Sequence, residues 1–148
     1  MPKTVGSVLR EKGGGVWSIG PDATVYSAIE MMADKGVGAL MVLAGETLLG
    51  VVSERDYTRK VILQGRSSKD TLVREIMTSP VHSVNPHRTL DDAMRIMTVN
   101  GIRHLPVVEG EKVVGVVTLG DLVKKVVSIQ GETIQHLQEY LTGRKHPG

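Results

Sequence analysis

Two phrases in this chain end alike: GVVSERD at residues 50–56 and GVVTLGD at residues 115–121. In each, a hydroxyl side chain (Ser53 or Thr118) stands three residues before an aspartate (Asp56 or Asp121), where a run of valines gives way to a helical pattern. That spacing supports two chemistries. In a capping box the hydroxyl accepts from the N3 amide, while the aspartate answers the N-cap amide and complements the helix dipole. In a ligand site the free N–H groups of the same helix start favour a phosphate. The hydroxyl then adds a donor, and the carboxylate can accept from both hydroxyls of a ribose. A nucleoside phosphate asks for that combination. Both readings stay open at this point, and the recurrence of the pair in register favours the second.

The elements that must position these residues also occur twice. Shifted by 65 positions, residues 18–62 overlay residues 83–127 without a gap. Sixteen of the 45 positions are identical, including Pro21/Pro86, Gly36/Gly101, Gly50/Gly115 and Asp56/Asp121, which is too many glycines and prolines in step for chance. Each copy reads as strand, helix, strand, strand, helix. The first strand is VWSI at 16–19 and VHSV at 81–84. Thr24 caps a helix with apolar Val25, Ala28, Ile29 and Met32 at helical spacing, and Thr89 with Asp92 forms a capping-box pattern ahead of Leu90, Ala93, Met94 and Met97. Gly36 and Gly101 close these helices. The runs ALMVL and LLGVVS, then HLPVV and VVGVVT, flank short turns containing Gly45 and Gly110, a hairpin signature. The second helices are DYTRKVILQ and DLVKKVVSI.

The predicted fold is α/β (α+β): two β-α-β-β-α repeats packed with pseudo-twofold symmetry, each covering an apolar face the other leaves open. Residues 5–65 form the first repeat and 66–82 a linker with the first strand of the second. Residues 83–128 complete that repeat, and 129–148 form a C-terminal helix and tail with Ile134, Leu137 and Leu141 on one side.

Composition narrows the function. A chain of 148 residues can bury roughly two thirds of its unfolded surface. Apolar residues make up 41% and charged residues 23%, ordinary globular usage. With 3% aromatics the core is built from Val, Leu, Ile, Met and Ala. The absence of cysteine excludes disulfides and thiolate metal sites and suits a reducing cytoplasm, where we place the chain. The five histidines show no metal-ligand spacing, and no metal is expected. No apolar stretch approaches the ~20 residues that span a bilayer, and MPKTVGSVLREKGGG lacks the apolar segment of a signal peptide. A net charge of +2 without a long basic run argues against nucleic acid; Arg59, Lys60, Arg66 and Lys69 read as a solvated helix face and loop. There is no nucleophile elbow, phosphate loop or acid/base pair, so no enzyme is expected.

With VREIMT before the second copy, NGIRHLPVVE, and the endings GVVSERD and GVVTLGD, the chain from Val5 to Val127 resembles a tandem pair of cystathionine-β-synthase-type (CBS) domains, a Bateman module. The resemblance implies a stand-alone regulatory module whose cleft binds an adenosine nucleotide, AMP foremost, with ADP, ATP, NAD(H) or S-adenosylmethionine as the other ligands. It also implies a homodimer and a regulated partner protein. It assigns ribose and phosphate contacts to Asp56 with Ser53 and to Asp121 with Thr118. The adenine would lie against Val16, Trp17, Gly38 and Ala39 in one site and Thr78, His82, Ile102 and Arg103 in the other. Glu54 and Arg55, within SERD, flank the first aspartate, and Arg55 is a phosphate partner where the second copy has Gly120. Arg103 and His104 stand where the family places basic residues that reach across the cleft. These asymmetries favour anionic phosphate beside Asp56. The alternatives are a dimerising scaffold with vestigial sites and, behind it, a nucleic-acid-binding module.

Overall fold

The computed structural model describes residues 3–13 and 15–128; the expected tail helix lies outside the described residues. The repeat is realised in three dimensions. In the first copy, helix α2 (Val25–Lys35) leads to strands β2 (Ala39–Ala44) and β3 (Thr47–Ser53), then to helix α3 (Glu54–Tyr57), which continues as a π-helical stretch Thr58–Ile62. In the second, α5 (Leu90–Asn100), β4 (His104–Glu109) and β5 (Lys112–Thr118) precede a helix over 119–128, here α6. Thr24 and Thr89 cap α2 and α5 by accepting from the N3 amides, and Gly36 and Gly101 end them in the left-handed region at φ 67° and 63°. The Asp92 carboxylate does not close the expected box: it lies 3.8 Å from both Arg88 and Arg95.

Both hairpins are antiparallel with the same register, Ala44 opposite Thr47 and Glu109 opposite Lys112, so each turn holds two residues and begins at a glycine with φ 64°. The leading strands come out unequal. Only Ser18–Ile19 forms a strand, β1, parallel to β2, with the Met41 amide donating to the Trp17 carbonyl at 3.0 Å. VHSV at 81–84 is not a strand; it makes a single parallel bridge between Val84 and Val107. The reason is one substitution. Pro106 stands where the first copy has Met41 and has no N–H to offer.

Two short helices outside the repeated elements complete the cores. Helix α1 (Val5–Lys12), capped by Thr4, precedes the first repeat in the chain, yet Val5 and Val8 are buried with Val84, Leu90, Leu105 and Val117 of the second. Helix α4 (Val73–Ile76) precedes the second repeat, yet Val73 and Ile76 are buried with Val25, Leu40, Val52 and Val61 of the first. Backbone bonds lock each crossing. The Val5 amide donates to Arg88 and that of Leu90 to Lys3, at 2.9 and 3.2 Å; Val25 donates to Thr71 and Val73 to Ala23, at 2.8 and 2.9 Å.

The crossing explains the matched glycines at mid-strand. A Cβ on Gly50 would come within 2.8 Å of the Thr78 carbonyl oxygen and of Met77 Sδ, and one on Gly115 within 2.7 Å of a Leu9 methyl. Backbone held by a two-bond bridge cannot yield, whereas a leucine end can rotate. Gly50→Ala is therefore expected to cost about 1–3 kcal/mol, the range for overpacking a closed core, and Gly115→Ala less. Urea denaturation of the two variants measures the difference; equal costs would contradict this account.

Candidate functional site

Both hydroxyl–aspartate pairs form capping boxes. Ser53 Oγ accepts from the Asp56 amide at 3.1 Å and Asp56 Oδ2 from the Ser53 amide at 3.0 Å. Thr118 and Asp121 repeat this at 3.0 and 2.9 Å. The β3-to-α3 junction is thus rigid, and it carries its polar groups to the mouth of a cleft between the repeats.

That cleft, of about 500 Å3, draws on both repeats. From the first come Gly38, Val51, Ser53, Glu54, Arg55 and Asp56; from the second repeat and the segment leading into it come Thr78, Pro80, Val81, His82, Gly101, Ile102, Arg103 and His104. Ten of the fifteen residues singled out in the sequence therefore meet here: Gly38, Ser53, Glu54, Arg55, Asp56, Thr78, His82, Ile102, Arg103 and His104. A shallower cleft of about 410 Å3 is lined by Arg103, His104, Thr118, Leu119, Gly120 and Val123, so Arg103 and His104 border both. Val16, Trp17 and Ala39 line neither. Ala39 is buried opposite Ser53 in the β2–β3 ladder. The Trp17 ring, 46% exposed, lies under the Lys35 ammonium at 4.6 Å. Asp121 is bonded to Thr118, which lines the second cleft, but is not itself part of that lining.

Asp56 is 8% exposed, and both oxygens of its carboxylate have partners. Its Oδ1 accepts from Thr78 Oγ1 at 3.3 Å and faces Lys60 Nζ at 3.1 Å, and that ammonium also donates to the Ile76 carbonyl at 2.8 Å. Lys60 is a residue that sequence reasoning placed on a solvated face. Its i+4 spacing from Asp56 was the available signal. The neighbouring basic residues are also spoken for: Arg66 pairs with Glu75 at 2.5 Å and Lys69 sits 4.9 Å over the Tyr26 ring. Three of the four basic residues of this cluster are thus engaged, and Arg59 is exposed.

His104 projects from the start of β4 toward Gly38, its ring 3.7 Å from where a Cβ on that glycine would stand. Glu54 Oε1 lies 3.3 Å from the same point, so the glycine makes room for both side chains. Burial holds the His104 pKa below the usual 6.5, and Lys12 and Arg103 push the same way against Asp121 and Glu54. The imidazole is neutral at neutral pH, able to donate one hydrogen bond and accept another. Since the unfolded chain takes up this proton more readily than the folded one, the contribution is complete above about pH 6.5 and fades as pH falls through the depressed value. Urea denaturation at pH 7.5 and pH 5 is expected to show a stability loss on acidification that is smaller in His104→Gln. An equal loss in both would sink the assignment.

Among the described residues no group of three or more His, Asp or Glu side chains is placed to hold a metal, and no helix is long and apolar enough to cross a membrane. Comparison with known proteins agrees with the architecture. Residues 8–62 and 73–128 each match the CBS domain family. The chain is 42% identical over 149 residues to an Arabidopsis thaliana protein described as the mitochondrial CBS domain-containing protein CBSX3, an alignment covering 95% of this chain and 72% of that one. Among solved structures, a putative signal-transduction protein with CBS domains from Burkholderia ambifaria superposes with a TM-score of 0.82 at 46% identity, over 85% of this chain and 95% of that one. The CBS-domain protein NE2398 superposes with a TM-score of 0.81 at 44% identity, over 86% and 99%. Repeat, fold and comparisons converge: this chain belongs to the CBS-domain family and carries two CBS domains in tandem.

Proposed function

We propose that the chain is a regulatory module that binds an adenosine nucleotide, AMP foremost and ADP, ATP or NAD(H) as related ligands, in the cleft beside Asp56, and passes the bound state to a partner protein. One observation carries this reading: a single cleft gathers a hydroxyl–aspartate pair, two arginines and an apolar wall from both repeats. The Asp56 carboxylate suits a ribose diol, Ser53 with Arg55 and Arg103 suits a phosphate, and Val51, Val81 and Ile102 offer the flat apolar contact a purine needs. Because the lining comes from both repeats, a ligand there ties one repeat to the other. It shifts any equilibrium between two arrangements by its difference in affinity for them. The familial link to a protein described as signal-transducing supports the regulatory half of the proposal. Apolar side chains left on helix surfaces and loops, Leu63 at 70%, Val99 at 75% and Val127 at 61% exposed, support assembly into a homodimer.

The competing reading is a scaffold whose site takes no ligand, and it has its own support: each oxygen of Asp56 already has protein partners. Melting curves with AMP, ADP, ATP, NAD+, NADH and GMP separate the two. At ligand about 100 times Kd a single site adds roughly 2.7 kcal/mol, a rise of several degrees at this size. The expected outcome is a rise with adenosine ligands, larger than with GMP, that disappears in Asp56→Ala when each variant is compared with its own unliganded melt. No rise with any nucleotide would leave the scaffold.

A further inference from the structure

The Asp56 carboxylate meets the cleft with its acceptors already taken. A carboxylate offers about four lone-pair sites, and four donors stand against this one. Oδ2 accepts from the Ser53 amide and from Ser53 Oγ, each at 3.0 Å, while Oδ1 accepts from Thr78 Oγ1 at 3.3 Å and faces Lys60 Nζ at 3.1 Å. A ribose brings two hydroxyl donors of its own, so two of the four have to yield.

The geometry separates the donors that hold from those that exchange. The Ser53 amide is fixed by the capping box. Lys60 carries a charge, is tied by a second bond to the Ile76 carbonyl at 2.8 Å, and is not part of the cleft lining. The other aspartate has a lysine in the same position: Lys12 Nζ reaches Asp121 Oδ2 at 2.8 Å and the Val116 carbonyl at 3.1 Å. A tethered lysine therefore belongs to the frame of both pairs. The two remaining donors on Asp56 are hydroxyls, both carried by residues of the cleft lining, and a hydroxyl redirects its proton by rotating about one C–O bond. Ser53 Oγ can still accept from the Asp56 amide, at 3.1 Å, after its own proton has turned away. Thr78 makes the longest of the four contacts, and its backbone is docked on Val51 by bonds of 3.1 and 2.8 Å that do not involve the hydroxyl.

We propose that the Ser53 and Thr78 hydroxyls are placeholders that a ribose diol replaces on Asp56 donor for donor, with Thr78 competing against the ligand for Oδ1. The proposal rests on the nucleotide reading of the Asp56 cleft. It makes Thr78 a residue that restrains affinity rather than supplying it. Thr78→Val keeps the shape and the backbone bridge and removes the hydroxyl. A water that takes the vacated place regains its freedom when the ligand displaces it, whereas a threonine hydroxyl does not. Calorimetric titration of the full chain with AMP is expected to give a Kd roughly threefold to tenfold lower in Thr78→Val than in the parent, the net worth of one hydrogen bond, and a parental Kd in Thr78→Ser. Thr78→Ala repeats the removal with a second side chain, and a melting curve of each variant verifies folding. With 2′-deoxy-AMP and 3′-deoxy-AMP the gain is expected to vanish for whichever of the two lacks the hydroxyl that Oδ1 accepts.

An AMP Kd unchanged or raised in Thr78→Val and Thr78→Ala, or a gain kept in full with both deoxynucleotides, would overturn the exchange while leaving the nucleotide reading intact. Binding undiminished in Asp56→Ala would remove the Asp56 reading and the exchange with it. A silent parent with Asp56-dependent binding in Thr78→Val would uphold both. Silence in the parent and in every variant would remove both.

Discussion

The interaction on which the rest depends is the exchange of short helices between the repeats. Each repeat has a hairpin and two helices, enough to make an apolar face but not enough to close it. Closure comes from a segment of four to eight residues that precedes the other repeat in the chain. Neither helix would be stable alone at that length, so each owes its conformation to the face it covers. The cleft between the repeats is a product of this exchange. Thr78, Pro80, Val81 and His82 reach the Asp56 side because α4, just before them, is pinned to the first core by Val73 and Ile76.

The same exchange breaks the symmetry. A repeat written twice calls for two equal sites, and the hairpins and capping boxes do match in register. The segments that arrive from α4 and α1 do not. One ends in a threonine and a docked backbone, the other in a lysine and a run of glycines. Differences of one or two residues in these connectors therefore decide which aspartate faces a roomy cleft. Pro106 in place of Met41 acts at the same level, removing a single amide and with it a strand.

Much of this was legible before the structure, for reasons of chemistry. Glycines at helix ends and in two-residue turns, threonine caps and alternating valines act through local geometry, so they declare themselves in a single copy and twice as clearly in two. The family resemblance named Ser53, Asp56, Thr78, Ile102 and Arg103 but divided the adenine contacts between two sites; the structure instead gathers Gly38 from one set and Thr78, His82, Ile102 and Arg103 from the other beside Asp56. What stayed hidden acts over distance. VGSVLREK is too short for its apolar period to stand out, and nothing in it names a partner some eighty residues away. Lys60 and Lys12 look like any surface lysine until the carboxylates beside them are located. Trp17, named for an adenine contact, lines neither cleft, and its ring lies under Lys35.

The crossing of α1 also has a meaning in time. A chain leaving the ribosome presents α1 before either repeat, but the face it covers is not complete until β5 has emerged, about a hundred residues later. The first repeat needs nothing beyond α4 and can close its core while the second is still being made, as N-terminal units generally do. Helix α1 must wait through that interval without its partner, and its return closes a loop of about a hundred residues. Of the described helices, the first in the chain is the one whose binding face is completed last.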